Sequence, residues 1–357
     1  MSCGTPTSSR SCCGKGERVQ AFVTGGTGLL GRHLVDVLLT DGWEVSVLTR
    51  DESRAKDLEA RGARLVPGDV TRPRFHAAIG RADVVFHAAA WFEIGTRDVR
   101  RMLDVNVTGT ANVLSIARKE GVGRVVYTST AGLFAPAPPG SPATESSTPG
   151  APVDDPYVVS KLQAYRLAVS EMHAGLPLTI VMPAAVFGPH DTGQLGRSLA
   201  LLTLGRLKLL PKGFGVTTWT HAGDVAHGHL LAATKGRPGE RYLLGDRVLP
   251  FVDFFRMAAE AAGVRPPRAV VPMPVARVAA RISEARAGFA GQTPLLSRAS
   301  LDLAALDVAV DAAKARRDLG WSPRPLEDRV KETMAWYVDR YRVRRAPLPI
   351  KASGAFA

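Results

Sequence analysis

Apolar residues along the chain gather in short continuous runs separated by stretches of helical periodicity. Residues 19–23 form such a run, followed by a helical pattern from about residue 30 to 40; residues 44–48 form the next, followed by a helical pattern over 53–61. Runs at 64–66 and 84–88 continue the series, and a long helix is predicted from about Thr96 to Glu120, ahead of a strand over 124–128. A helix from Pro156 to about Ala174 then leads to the run 178–182. Continuous apolar runs alternating with helices predict parallel strands covered on both faces. Short connections and right-handed crossovers make a doubly wound sheet the economical α/β arrangement.

Between Ala135 and Pro156 the chain is rich in proline, including Pro136, Pro138, Pro139, Pro142, Pro149 and Pro152, which predicts a mobile surface loop. It follows a strand expected to end at the binding crevice, where a loop over the site is as well placed as an idle one. Beyond Gly188 the alternation weakens into proline-punctuated helices such as 250–262 and 274–286, predicting a smaller, mostly helical lobe that returns to the sheet at intervals. No internal repeat of solenoid period is present.

Composition changes this picture little. At 357 residues, 45% hydrophobic and 22% charged, the chain reads as an ordinary soluble protein with one large core or a large domain plus a smaller one. The longest apolar stretch, residues 198–211, is broken by Arg206 and Lys208, so no membrane span is predicted. All three cysteines, Cys3, Cys12 and Cys13, lie in an amino-terminal leader (residues 1–17) read as disordered. That leaves the predicted core without a thiol for a disulfide, a metal or a nucleophile, and no metal site is expected. The leader also lacks the apolar segment of a secretory signal, so the expected location is the cytoplasm.

The formal net charge of +13 raises the question of an anionic partner. The basic residues are dispersed and no aromatic-interleaved basic stripe is present, which argues against nucleic acid. The densest cluster, Arg340-Tyr341-Arg342-Val343-Arg344-Arg345, leaves a weak peripheral membrane contact as a minor option. Most of the charge is read as solubility plus attraction for an anionic cofactor.

Candidate chemistry begins at Thr24-Gly25-Gly26-Thr27-Gly28-Leu29-Leu30-Gly31, where a strand feeds a glycine-rich turn into a helix amino end. Free backbone N–H groups and the positive end of the helix dipole suit a pyrophosphate, and glycine lets the main chain approach it closely. Tyr157 and Lys161 stand four residues apart on a predicted helix, hence on one face. A fixed cation beside a phenol favours the phenolate and makes tyrosine a usable acid/base. Tyr127-Thr128-Ser129-Thr130 puts hydroxyls at the end of a predicted parallel strand, where a substrate carbonyl could be held.

With these in order, the chain resembles the extended short-chain dehydrogenase/reductase family, closest in character to its dihydroflavonol reductase-like and 3β-hydroxysteroid dehydrogenase-like members. Further motifs carry the resemblance: Gly68-Asp69-Val70, His87-Ala88-Ala89-Ala90, Asn106-Val107-Thr108-Gly109-Thr110, Phe187-Gly188-Pro189, His221-Ala222-Gly223-Asp224-Val225-Ala226 and Leu319-Gly320-Trp321-Ser322-Pro323. It implies a Rossmann domain for nicotinamide dinucleotide over residues 18–188, a substrate lobe over 189–345 and a tail over 346–357. It also implies that Tyr157 is the catalytic acid/base, that Lys161 lowers its pKa and binds the nicotinamide ribose, and that Thr130, in place of the usual serine, orients the substrate oxygen. Gly25, Thr27, Gly28, Leu29, Leu30 and Gly31 would hold the pyrophosphate, Asp69 and Val70 would meet the adenine, and Ala88, Ala89, Ala90 and Pro183 would pass close to the cofactor. Relatives are commonly homodimers, which leaves a homodimer as an option here.

Relatives that prefer NAD often end the second strand with an acid on the adenosine ribose, but that place is Thr49, and Arg50 follows. Arg50 resembles the arginine of NADPH-dependent reductases; a guanidinium forks onto phosphate with two charge-assisted bonds, and Arg54 adds a third. NADP(H) is therefore expected, NAD(H) remaining an option, and Asp51 would oppose a phosphate unless it turns outward. Nucleotide-sugar relatives commonly carry an asparagine where this chain has Ala185 and an arginine where it has Thr217. Losing both would cost a sugar diphosphate several kcal/mol, at about 1.5–3 kcal/mol per charge-assisted bond. Trp91, Phe92, Phe134, Met182, Phe187 and Trp219, with Ala185, are expected to offer an apolar pocket, while His190 and His221 are read as structural. The reading is an NADPH-dependent reductase, or the reverse dehydrogenase, of a small-molecule ketone on a mostly apolar ring. The alternatives are a nucleotide-sugar epimerase or dehydratase with tightly bound NAD, and a non-catalytic NADP-sensing protein.

Overall fold

The computed structural model of the chain describes residues 18–136, 140–290 and 292–348. The leader with its three cysteines, Pro138, Pro139 and the tail beyond residue 348 lie outside the described residues. Six strands come first: β1 (Gln20–Thr24), β2 (Glu44–Thr49), β3 (Arg64–Pro67), β4 (Val84–His87), β5 (Arg124–Thr128) and β6 (Leu178–Pro183). Then follow β7 (Ala185–Phe187), β8 (Leu209–Pro211), β9 (Val216–His221), β10 (Arg241–Leu244), β11 (Arg247–Pro250) and β12 (Arg268–Val271). Seven of these form one parallel sheet in the order β10-β6-β5-β4-β1-β2-β3. The order reverses between β1 and β4, which opens a crevice at their carboxyl ends.

Both faces of the sheet are covered, which is why its strands are continuously apolar. On one face Leu34, Val35 and Leu38 of the helix Leu29–Thr40 meet Val225, Ala226 and Leu230 of the helix Ala222–Thr234. On the other, Val113, Leu114 and Ala117 pack with Leu162, Ala164 and Ala168 of the helix Pro156–His173. The chain thus returns to the sheet beyond residue 188, through the helix Ala222–Thr234 and β10. The remaining strands form a three-stranded sheet, β11-β9-β7, and a parallel pair, β12-β8.

Several local expectations are corrected. The long helix over 96–120 is two helices, Val99–Leu103 and Gly109–Lys119, joined by a π-helical segment at Asp104–Thr108. The pattern over 53–61 yields a 3₁₀ turn, Glu52–Arg54, and one α-turn, Lys56–Glu59. The proline-rich loop is pinned: Ala143 bridges Val310, the Glu145 carboxylate accepts from the Leu243 backbone N–H at 2.8 Å, and Gly150 donates to the Leu133 carbonyl at 2.6 Å. The carboxyl-terminal basic cluster is folded into the lobe as well. Arg340 lies over the Trp336 and Tyr341 rings, Arg342 donates to the Ala262 carbonyl, and Arg344 pairs with Asp339 at 2.8 Å.

Candidate active site

The crevice is built first by the glycine turn. Gly25 has φ +75°, open to glycine at little cost, and a Cβ there would stand 2.6 Å from the Ala89 nitrogen, so turn and β4 end approach as closely as backbone allows. A Cβ at Gly31 would collide with the Gly25 carbonyl, which binds the first helical turn against the loop. Gly28 caps the helix without a side-chain bond, and no acidic residue stands in its first turn. The first N–H groups of a helix have no carbonyl behind them, so Leu29, Leu30 and Gly31 present donors and the positive dipole end, a cradle that fits a pyrophosphate.

A buried histidine braces this turn. His87 exchanges hydrogen bonds with the hydroxyls of Thr24 through Nδ1 (2.8 Å) and of Thr110 through Nε2 (2.9 Å), while the Thr24 hydroxyl accepts from the Ala89 N–H. Burial, aided by the Lys161 charge, pushes His87 down to about 3. On the far side of β5, His229 bridges the Thr128 hydroxyl and the Val225 carbonyl and is pushed down by burial to about 4. Both rings stay neutral in the folded chain but accept a proton near pH 6.5 when unfolded, so stability is lost as pH falls below about 6.5. The urea midpoint is expected to drop between about pH 6.5 and 5, each histidine contributing up to about 1.4 kcal/mol per pH unit; a flat midpoint there would contradict the bracing role.

Pro156 opens a helix capped by Asp155, whose carboxylate accepts from the Tyr157 N–H at 2.9 Å and from the Gly95 N–H at 2.8 Å. The π-helical segment carries Asn106, whose side chain holds both the N–H and the carbonyl of Trp91 and donates to the Ser160 hydroxyl, itself bonded to the Tyr157 carbonyl. Neither Asp155 nor Asn106 was singled out as a site residue from sequence, although an aspartate before proline at a helix start is a capping signal. Burial raises the Tyr157 phenol pKa well above 10, with the neighbouring Thr130 side chain opposing that and the Asp155 charge adding to it. Lys161 is 3% exposed and donates to the Thr128 carbonyl at 2.8 Å and the Tyr127 hydroxyl at 3.4 Å. Burial lowers it to about 7. Burial, and not the lysine, is the largest influence on the Tyr157 phenol.

Arg50 follows β2, and Asp69 leads into the turn after β3. Burial lowers the Arg50 pKa, Asp69 opposes that, and Arg101 and Arg54 add to it, so three guanidinium groups share this corner. Asp51 turns its carboxylate onto Ser53, accepting from the backbone N–H and the hydroxyl at 3.0 and 2.6 Å. Val70 is in the core, its side chain filling the space over Gly109.

The pocket expectation is corrected for most of its aromatics. Trp219 stacks on Phe254 at 3.7 Å with Phe187 edge-on, and Phe134, Met182 and Trp91 are likewise at most 1% exposed, so these side chains are core. Phe92 differs: it is 47% exposed and rests edge-on against the Tyr157 ring, centroids 4.8 Å apart. Ala185 is partly exposed on β7, and Thr217 is buried in β9. His221 is buried beside His33, and His190 packs on Trp336. A cleft of about 640 Å³ opens beside the amino end of the Pro156 helix, between Glu93, Arg97, Asp155 and the helix Met273–Phe289. None of the residues expected to line a pocket is among its walls.

Residues 21–245 match the NAD dependent epimerase/dehydratase family. A ketoreductase of Stigmatella aurantiaca that acts on 4-hydroxy-2-methyl-3-oxo-4-farnesyl-3,4-dihydroquinoline-1-oxide is 31% identical over 86% of this chain and 92% of its own length. A putative dihydroflavonol 4-reductase of Synechocystis is 28% identical over 88% and 94%. The crystal structure of gox2253 superposes with a TM-score of 0.76 at 29% identity, covering 93% of this chain and all of that one. The chain belongs to the NAD dependent epimerase/dehydratase family and is a nicotinamide-dependent oxidoreductase of CH–OH and C=O groups.

Proposed function

We propose that the protein is an NADPH-dependent reductase of a ketone on a mostly apolar, ring-containing small molecule, working in reverse as an alcohol dehydrogenase. The observation that carries this reading is the Tyr157 phenol, flanked by the exposed ring of Phe92 and one helical turn from the buried Lys161, which is held on the Thr128 carbonyl. When bound, the nicotinamide supplies hydride to the carbonyl carbon. Tyr157 gives its proton to the carbonyl oxygen, and Thr130 orients that oxygen. Lys161 stands one turn along the same helix face, a positive charge for the phenolate left behind. The names of the two curated relatives, a dihydroquinoline-oxide ketoreductase and a dihydroflavonol reductase, support a ring ketone. Ala185 and Thr217 offer no charge partner for a sugar diphosphate, which disfavours the epimerase reading. Cofactor oxidation, followed by nicotinamide absorbance, is expected with cyclic ketones and not with UDP-glucose. Turnover of the nucleotide sugar without net cofactor consumption would overturn the reading.

NADP(H) is the proposed cofactor because of the guanidinium corner. Arg50→Ala is expected to weaken NADPH binding about 10–100-fold, the worth of one or two charge-assisted bonds, while NADH binding stays within about twofold. Equal losses for both cofactors, measured by fluorescence titration, would remove Arg50 from the 2′-phosphate.

A further inference from the structure

The helix Met273–Phe289 is packed inside out. Toward the lobe it buries Ala276, Ala280 and Ala287, whereas Val275, Val278, Ile282 and Phe289 are 56, 57, 51 and 96% exposed. Four of the twelve exposed large apolar side chains among the described residues therefore lie on this one helix. Their spacing of three, four and seven places them in a single ridge on the side away from the alanines. Nothing in the folding of the chain requires a ridge of large apolar side chains in water, and contiguous exposed apolar surface marks an interaction site.

Charge says what that site meets. Arg281 flanks the ridge on one side and Arg286 on the other, with Arg277 beyond Arg281 held by Asp302 at 2.8 Å, against a single acid in the helix, Glu284. Glu284 is turned back to the body of the lobe, where it accepts from the Arg298 backbone N–H at 2.7 Å and its guanidinium at 3.0 Å. The β8–β12 pair, which runs into this helix, adds Leu209 and Val270, 53 and 47% exposed, with Lys208 and Arg268 also exposed. An apolar ridge bordered by arginines, with no outward carboxylate on the helix, has the chemistry of an interfacial helix: side chains enter the acyl boundary while the guanidinium heads stay at the phosphates. No helix among the described residues is long and apolar enough to cross a membrane, so the contact is with a surface.

We propose that the helix Met273–Phe289 docks the protein on an anionic lipid surface. The same helix, through Glu284, Ala287 and Gly288, walls the cleft beside the Pro156 helix, so docking brings the lipid surface to the edge of that cleft. The docking surface rests on exposure and charge alone and holds whichever substrate the enzyme takes.

Flotation of the full chain with vesicles of phosphatidylcholine alone, and of phosphatidylcholine containing phosphatidylglycerol, tests it. Binding is expected only with phosphatidylglycerol and to weaken as salt is raised. The double substitution Val278→Glu with Ile282→Glu is expected to lower the vesicle partition coefficient by about tenfold or more while leaving NADPH affinity and thermal unfolding unchanged. Absence of binding to the anionic vesicles, or undiminished binding by the double variant, would overturn the proposal. So would a dimer at micromolar concentration that the double substitution dissociates, since the ridge would then be an interface between two copies of the chain.

Discussion

Tyr157→Phe is expected to lower turnover about 10²–10⁴-fold while NADPH affinity stays within a few-fold, because the substitution removes one hydroxyl and leaves the ring. The Phe92 ring rests edge-on against Tyr157, a contact phenylalanine keeps, and the Asp155 and Ser160 bonds to residue 157 use its backbone. What is lost is the phenolic O–H beside Thr130 and the proton it carries. Stopped-flow single turnovers would assign the loss to the chemical step. A variant that retained more than about a tenth of the wild-type rate would show that another group, or water, delivers the proton.

Arg329→Met is expected to destabilise the fold by about 3–5 kcal/mol, the cost of leaving a buried carboxylate without its cation. The Arg329 and Asp224 side chains are 13 and 7% exposed, and the guanidinium forks onto the carboxylate through Nε at 2.9 Å and Nη2 at 2.6 Å. This pair fastens the helix Leu326–Tyr337, which carries Val330 and Met334 into the lobe core, to the helix Ala222–Thr234 on the sheet. Trp321 adds to the joint by donating its indole N–H to the Asp224 carbonyl at 2.8 Å. Removing both charges with Asp224→Leu and Arg329→Met should recover most of the loss, since the unpaired charge and not the missing attraction is the main penalty. Urea unfolding measures both; a single substitution costing less than about 1 kcal/mol would show that water reaches the pair.

The strand–turn–helix at β1 is legible in the sequence because its physics is local: an apolar run, glycines where a Cβ would collide, and a helical period directly after. The pairing of Tyr157 with Lys161 on one face is legible for the same reason. Their electrostatics are not, because the lysine's partners, the Thr128 carbonyl and Tyr127 hydroxyl, come from a strand distant in the chain. The π-helical segment at Asp104–Thr108 escapes a periodicity reading, since one added residue barely disturbs an otherwise helical pattern. Phe187 and Trp219 show the remaining difficulty: an aromatic residue near a strand end is equally suited to core and pocket, and only the packing of Phe254 against both rings decides between them. The exposed ridge on Met273–Phe289 is hidden in the same way, because periodicity gives an apolar face without telling which way it points.

In the proposed reaction hydride passes from NADPH to a ketone carbon while Tyr157 protonates the oxygen. Incubation with NADPH deuterated at the transferred position of C4 and a cyclic ketone, followed by mass spectrometry of the alcohol, tests it most directly. The deuterium is expected on the carbinol carbon, with one NADP⁺ formed per alcohol. Product without label, or turnover without NADP⁺, would contradict the account.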